Sequence, residues 1–179
     1  AMFEQLLRRR GIQFIVAPFE ADAQLAFLQT QGLVDAVVSE DSDMVVYGVT
    51  KVLFKLDRSG QGRLLCLDDA LRTKAVEGLG LRDLRHACIL SGCDYLPGIA
   101  GMGLRTALKT VRKHRDVGNI IRAMRIKGQH KVPEGYEQAF WRAELTFRHQ
   151  QVFDPVSREA VPRTPLPDTL SWAELESFL

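Results

Sequence analysis

Phe14-Ile-Val-Ala-Pro-Phe-Glu-Ala-Asp22 and Ala36-Val-Val-Ser-Glu-Asp-Ser-Asp43 are two apolar runs that each end in paired acids. Glu20 and Asp22 follow the first run, and Asp41 and Asp43 follow the second. Between Val16 and Thr50 there are six acids (Glu20, Asp22, Asp35, Glu40, Asp41, Asp43) and no Lys or Arg, so nothing nearby in sequence neutralises them. A short β-branched run bounded by a turn signal reads as a buried strand. The pattern predicts a strand entered from Gly11, a helix over Glu20–Gln31 with Ala21, Leu25 and Leu28 inward and Gly32 at its end, and a second strand at Ala36–Ser39. A right-handed crossover makes the two strands parallel, with their C-terminal ends on one edge of the sheet. Ligand sites of α/β sheets sit at that edge, so the carboxylates are expected to meet in one cleft.

Four carboxylates in two i, i+2 pairs suit hard divalent cations such as Mg²⁺, because oxygen ligands match them and clustered negative charges need a positive partner to stay ionised together. Two ions about 3.5–4 Å apart would polarise a phosphodiester and activate a water. Helix capping is the competing reading, since Asp and Glu favour first turns and Ser39-Glu-Asp-Ser-Asp43 could simply open a helix. Two pairs at the ends of two strands, with no compensating base, weigh toward metal.

Further along, Lys51–Leu56 alternates at period two, Asp57–Gly62 is a turn and Arg63–Leu67 returns, which predicts a hairpin at the sheet's edge. Helical patterns follow at Asp69–Glu77 and Leu81–Ser91. The second runs into Gly92-Cys-Asp94-Tyr-Leu-Pro97, and an acid at a helix C-terminus is electrostatically disfavoured, which points Asp94 toward a metal role. Next come Gly98-Ile-Ala-Gly-Met-Gly103 and a basic helix at Leu104–Lys113. A glycine turn that leaves N–H groups bare at a helix start suits a phosphate oxygen. Gly98, Gly101 and Gly103, with Arg105, Lys109, Arg112 and Lys113 behind them, are therefore candidates for gripping a nucleic-acid backbone without reading sequence. Helices are expected at Asp116–Arg125 and Glu134–Gln151, and an irregular extended tail with four prolines at Val152–Asp168. Tyr95, Phe140, Trp141 and Phe147 are read as packing residues, and His86, His114, His130 and His149 as surface or packing residues without ligand spacing.

At 179 residues, 46% hydrophobic and 26% charged, the profile is that of one globular domain, with or without an appendage. The net charge of +2 conceals an asymmetry: Leu104–Arg163 carries thirteen Lys/Arg against six acids. An acidic first third and a basic second half suggest metal in one place and a polyanion in the other. Cys66, Cys88 and Cys93 lack zinc-like spacing and read as free, mostly buried thiols in a reducing compartment. No stretch approaches the ~20 apolar residues of a membrane span, so no membrane partner is expected and the chain is read as soluble and intracellular.

Ala17-Pro-Phe-Glu-Ala-Asp-Ala-Gln24, Ser39-Glu-Asp-Ser-Asp43 and Ile89-Leu-Ser-Gly-Cys-Asp-Tyr-Leu96, followed by the glycine hairpin, resemble the internal region of the flap-endonuclease/XPG nuclease superfamily. Their spacing and Val152-Phe-Asp-Pro155 resemble its exonuclease-one branch. The resemblance runs from about Gly11 to Pro155. It implies an α/β, PIN-like 5′-nuclease core over residues 1–80, a helix–two-turn–helix and further helices for DNA binding over 81–151, and a tail over 152–179. It also implies a nuclear DNA-repair or replication enzyme that uses two Mg²⁺ ions, with Mn²⁺ as a substitute, on DNA with 5′ ends, flaps, nicks or gaps.

The metal ligands implied are Glu20, Asp22, Asp41, Asp43 and Asp94. A K⁺ ion held by Ser91 and the main chain at Gly98 and Met102 would bridge the helix–two-turn–helix to DNA. Ala100 departs from the basic residue that family members often carry there. Family members also begin with an N-terminal region that supplies a central strand and two further aspartates. This chain is read as lacking it, so sheet and metal site are expected to be incomplete and that region is an expected partner. The alternative class is a non-catalytic DNA-binding or scaffold module from a degenerate relative.

Overall fold

The computed structural model describes residues 2–128 and 130–167. Eight helices and five strands are defined among them. Helix α1 (Met2–Arg9) ends where Gly11 takes a positive φ of 63°. It buries none of its residues.

The expected first strand does not form. Residues 12–17 pair with no strand among the described residues. The chain then enters α2 (Ala21–Thr30), with Glu20 as its N-cap residue. The buried face of α2 is Ala23, Gln24, Ala26, Phe27 and Gln29; of the residues expected inward, Leu25 and Leu28 pack against the core half-buried, while Ala21 is exposed. Gln24 and Gln29 face inward because each has a backbone target. Gln24 Nε2 donates to Phe153 O (2.8 Å) while its Oε1 accepts from Phe153 N (2.7 Å), and Gln29 Oε1 accepts from Thr50 N (3.0 Å). Each amide replaces a missing backbone partner, which makes its burial affordable.

The second expected strand is shorter than predicted, β1 (Val37–Val38), and leads through Asp41 into α3 (Asp43–Tyr47). Gly48, in the left-handed region at φ 88°, ends α3 and turns the chain into β2 (Lys51–Phe54). β1 and β2 are parallel, with Val37 opposite Val52. The expected hairpin is present: β3 (Arg63–Cys66) runs antiparallel to β2 and occupies the edge of the order β1-β2-β3. The sheet is thus mixed and three-stranded. Helix α4 (Leu67–Leu71) is shorter than the predicted Asp69–Glu77, and the chain reaches α5 (Leu81–Ser91) through turns.

α5 and α6 (Leu104–His114) pack along each other as the helices of a two-turn connection. Gly98 is required there, since a Cβ would lie 2.3 Å from the Ser91 carbonyl oxygen and 2.8 Å from Gly92 N. Any side chain would force the two turns apart. α7 (Val117–Lys127) begins at Asp116, whose carboxylate accepts from Asn119 N at 2.8 Å, an N-cap. α8 (Tyr136–His149) runs back under α3 and α5. The tail differs from expectation: β4 (Gln151–Asp154) and β5 (Glu159–Pro162) form an antiparallel hairpin that β4 docks on α2. Its prolines fall at the turn and at the outer end, where no ladder N–H is needed. Residues 168–179 of the expected tail lie outside the described residues.

One continuous core joins the sheet, α2, α3 and α5–α8, with Phe140, Phe147, Met44, Ile89, Leu90, Ile120 and Ile121 among its fully buried side chains. Burying each phenylalanine contributes about 1.5–3 kcal/mol. Two buried arginines tie the layers. Arg85 pairs with Glu144 at 3.3 Å and donates to Val46 O at 3.1 Å; Arg163 donates to Phe147 O (2.8 Å) and Tyr47 O (3.2 Å). Both guanidiniums end on last-turn carbonyls of α3, the favourable end for positive charge. Trp141, read as core, is 41% exposed and packs at the rim edge-on to His86 and Phe140.

Candidate metal centre and nucleic-acid interface

The five candidate carboxylates come from three places that are distant in sequence. Glu20 and Asp22 flank the start of α2, Asp41 and Asp43 flank the start of α3, and Asp94 follows α5 in the first turn. The absence of a paired first strand does not scatter them, because α2 and α3 pack against each other and α3 packs on α5. Asp43 feels the charges of Asp41, Asp94, Asp22 and Glu20, and with burial as the larger cause its pKa is pushed up to about 6. Asp22 is raised as well, by burial first and then by Asp41, Glu20 and Asp94. Among the described residues no Lys or Arg forms an ion pair with any of the five. Their charges act on one another.

The five are not a closed coordination sphere: among the described residues no three His, Cys, Asp or Glu side chains form a ready-made metal site. The donor set nevertheless fits hard divalent ions, being all oxygen and short of positive charge. Asp41 Oδ1 accepts from Asp43 N at 2.8 Å in a turn at the entry to α3, whose N-cap residue Ser42 makes no side-chain cap bond. Glu20 makes no cap bond. Glu40 is turned away, accepting from Lys55 N at 2.6 Å.

Two residues near Glu20 were missed as site residues. Tyr47, at the end of α3, donates to Glu20 Oε2 at 3.2 Å, and Tyr95, beside Asp94, donates to the same oxygen. Burial, augmented by the Glu20 charge, drives both phenols above their ordinary range, so both stay protonated donors. Tyr95 had been read as packing; its neighbour Asp94 was the available signal. Tyr47 sits in an apolar run with no motif to mark it. Glu20 and Tyr95 line an open cleft of about 640 Å³ together with Ala139, Arg142, Ala143 and Thr146 of α8.

In the helix–two-turn–helix, Cys93 N donates to Leu96 O (3.0 Å) and Ile99 N to Leu90 O (3.1 Å), which closes the first turn onto α5. Ser91 Oγ donates to Cys88 O at 2.9 Å, leaving its lone pairs for a cation. Its carbonyl lies against Gly98, and Met102 is buried beneath the second turn. Gly103 caps α6 without a side chain, and Gly98, Gly101 and Gly103 are exposed. Ala107, Leu108 and Val111 face the core while Arg105, Lys109 and Lys113 face outward. Arg112 departs from the predicted basic face: it donates to Ala75 O (2.8 Å) and Glu77 O (3.3 Å), fastening the loop before α5. Between α6 and α7 is a cavity of about 200 Å³ with Lys109, Lys113 and Lys127 at its rim and Met102 and Met124 beneath. His130, read as a surface or packing residue, meets Ala100 O through its Nδ1 at 3.0 Å and buttresses the second turn.

A mixed sheet with an acidic cleft, joined to a helix–two-turn–helix, defines a class of structure-specific nucleases, and the XPG I-region family model matches residues 11–94. The chain belongs to the flap-endonuclease/XPG superfamily. Within it the chain falls on the exonuclease-one branch. Exodeoxyribonuclease 1 of Schizosaccharomyces pombe is 44% identical over 160 residues, covering 89% of this chain and 28% of that protein. Exonuclease 1 of Danio rerio is 41% identical over 173 residues, covering 94% and 22%. The chain therefore spans about a quarter of the length of these relatives.

Among solved structures, flap endonuclease-1 from Methanococcus jannaschii superposes with a TM-score of 0.61 at 30% identity, over 78% of this chain and 41% of that one. The junction-resolving enzyme GEN-1 binding potassium gives 0.68 at 26% identity, over 87% and 45%. GEN1 with product DNA and Mg²⁺ gives 0.66 at 23% identity, over 87% and 44%, a likeness of fold.

Proposed function

We propose that this chain is the metal-binding and DNA-binding part of a 5′-directed DNA exonuclease or flap endonuclease acting in repair or replication in the nucleus. The observation that carries the reading is the mutual charge interaction of Glu20, Asp22, Asp41, Asp43 and Asp94, none of which forms an ion pair with Lys or Arg among the described residues, beside a helix–two-turn–helix with an outward basic face. Residues 1–80 carry four of the five acids, 81–151 add Asp94 and would grip the duplex, and the hairpin after 151 braces α2.

The five carboxylates would hold two Mg²⁺ ions, which when bound polarise the phosphodiester and activate water for in-line attack. Asp22 and Asp43 are the acids most in need of that positive charge, because burial and their neighbours hold them partly toward the neutral form. Arg105, Lys109 and Lys113 would follow the phosphates, with Gly98, Gly101 and Gly103 allowing close approach of the backbone. Ser91 Oγ and the main chain at Gly98 and Met102 would hold K⁺ between protein and phosphate; the potassium bound by GEN-1, on the same fold, supports this. The open carboxylate group and the exposed Val16 and Val38 support a further part for an N-terminal segment of the same protein, completing the sheet and the ligand set.

The deciding experiment is a nuclease assay on 5′-recessed and flapped duplexes with Mg²⁺, using the protein that carries these residues. Nucleotide release that Asp43→Ala reduces by at least 10²-fold supports the reading. DNA binding without Asp43-dependent cleavage would instead favour a non-catalytic binding module.

A further inference from the structure

We infer that Tyr95 and Tyr47 are positioning residues that hold the Glu20 carboxylate ready for a divalent cation, an assignment that rests on the metal reading above. Both hydroxyls lie within hydrogen-bond reach of one oxygen, Glu20 Oε2, and 2.5 Å from each other, so their two protons are shared over a closed triangle of three oxygens. The other oxygen, Oε1, accepts no hydrogen bond among the described residues. The bracket is assembled from three elements, with Glu20 at the start of α2, Tyr47 closing α3 and Tyr95 in the turn after α5.

Its base is rigid. Both rings stand edge-on to Phe147, with centroids at 5.0 Å for Tyr47 and 4.8 Å for Tyr95, and Phe147 is fully buried. Arg163 lies over the Tyr47 ring at 5.4 Å and fastens the carbonyls of Tyr47 and Phe147 together. The hydroxyls can shift only if this packing shifts.

The chemistry explains why phenols serve here. Glu20 is exposed and makes no cap bond, so an unrestrained side chain would lose rotamer freedom on binding a cation. The bracket removes that freedom beforehand. An Arg or Lys in the same place would orient the carboxylate equally well but would cancel the charge that attracts the cation. Neutral donors orient without cancelling.

The test is a Mn²⁺ titration of this chain followed by electron paramagnetic resonance, on wild type, Tyr95→Phe, Tyr47→Phe, Glu20→Ala, Asp41→Ala and the two double variants of a tyrosine change with Glu20→Ala. Phenylalanine keeps the ring against Phe147, and melting temperature and near-ultraviolet circular dichroism report folding. Tyr95→Phe is expected to weaken Mn²⁺ about tenfold, with a smaller loss for Tyr47→Phe. Neither change is expected to weaken it further once Glu20 is Ala. Unchanged affinity in both tyrosine variants, with a loss in Glu20→Ala, overturns the inference and leaves the metal reading standing. An equal loss with and without Glu20 overturns it too, because the tyrosines would then act on the fold alone. If Glu20→Ala and Asp41→Ala both bind Mn²⁺ as wild type does, the metal reading fails and the inference falls with it.

Discussion

The acidic α/β half and the basic helical half are built to different standards of closure. Among the described residues, eleven of the fifteen exposed large hydrophobics fall before residue 65, including Phe3, Val16, Phe19 and Val38. From α5 to α8 the apolar faces meet one another, and the fully buried Phe140, Phe147, Ile120 and Ile121 lie there. The helical half closes its own core, and the acidic half leans on it through Arg85, Arg163 and Phe147. Metal-site geometry is therefore inherited from the helices. The sheet contributes little to it.

The largest effect should come from breaking that support. Glu144→Ala leaves Arg85 buried without its partner, and Phe147→Ala removes a fully buried ring, so each is expected to cost about 3–5 kcal/mol in urea denaturation. Val16→Ala, on the exposed and unpaired segment, should change stability by less than about 0.5 kcal/mol. A cost for Val16→Ala comparable with Phe147→Ala would erase the distinction between the halves.

Charge separates the halves next. Lys109→Ala with Lys113→Ala removes two outward cations, so the slope of log K against log salt should become shallower by about 1.8, with similar loss for every duplex sequence. Arg112→Ala should act differently, lowering stability more than it alters the salt slope, because its guanidinium fastens the Ala75–Glu77 loop. Fluorescence anisotropy across salt concentrations checks both.

Acid should act on the two halves with opposite sign. Asp43 is raised to about 6, so its stability contribution is full below its ordinary 3.8 and is lost as pH rises through about 6. His86 is lowered, chiefly by burial, so its contribution is full above its ordinary 6.5 and is lost as pH falls. At pH 7 without metal, Asp43→Asn should stabilise the chain by about 1 kcal/mol after discounting for solvent screening, or about 2–4 °C in melting temperature. The gain should vanish near pH 4. A variant that melts lower at pH 7 would show that Asp43 is not held in a field of like charges.

Much of this was legible in the residues because paired acids, glycine turns and helical periodicity are local signals. The bounds of α5 and the β2–β3 hairpin are legible in this way, and Asp43 does feel the charges of Glu20, Asp22, Asp41 and Asp94. What was not legible depended on distant partners. The strand expected at Phe14 has the right composition, yet nothing described pairs with it. Gln24 is polar and looked outward, but Phe153, 129 residues away, supplies its bonds. The prolines after Val152 suggested an irregular tail and instead sit where β4 and β5 need no N–H. Arg112 shares the period of the basic face but is captured by carbonyls of a loop thirty-five to thirty-seven residues earlier. The tyrosines on Glu20 carry no spacing at all.

The most direct test is a crossed pair of binding measurements on two variants. Mn²⁺ binding and duplex affinity are each measured for Asp41→Ala and for Lys109→Ala with Lys113→Ala. The account predicts that Asp41→Ala loses Mn²⁺ and keeps DNA, whereas the double lysine variant keeps Mn²⁺ and loses DNA. Retained Mn²⁺ binding in Asp41→Ala, or loss of both ligands in either variant with the fold intact, would contradict the division of metal and DNA between the two halves.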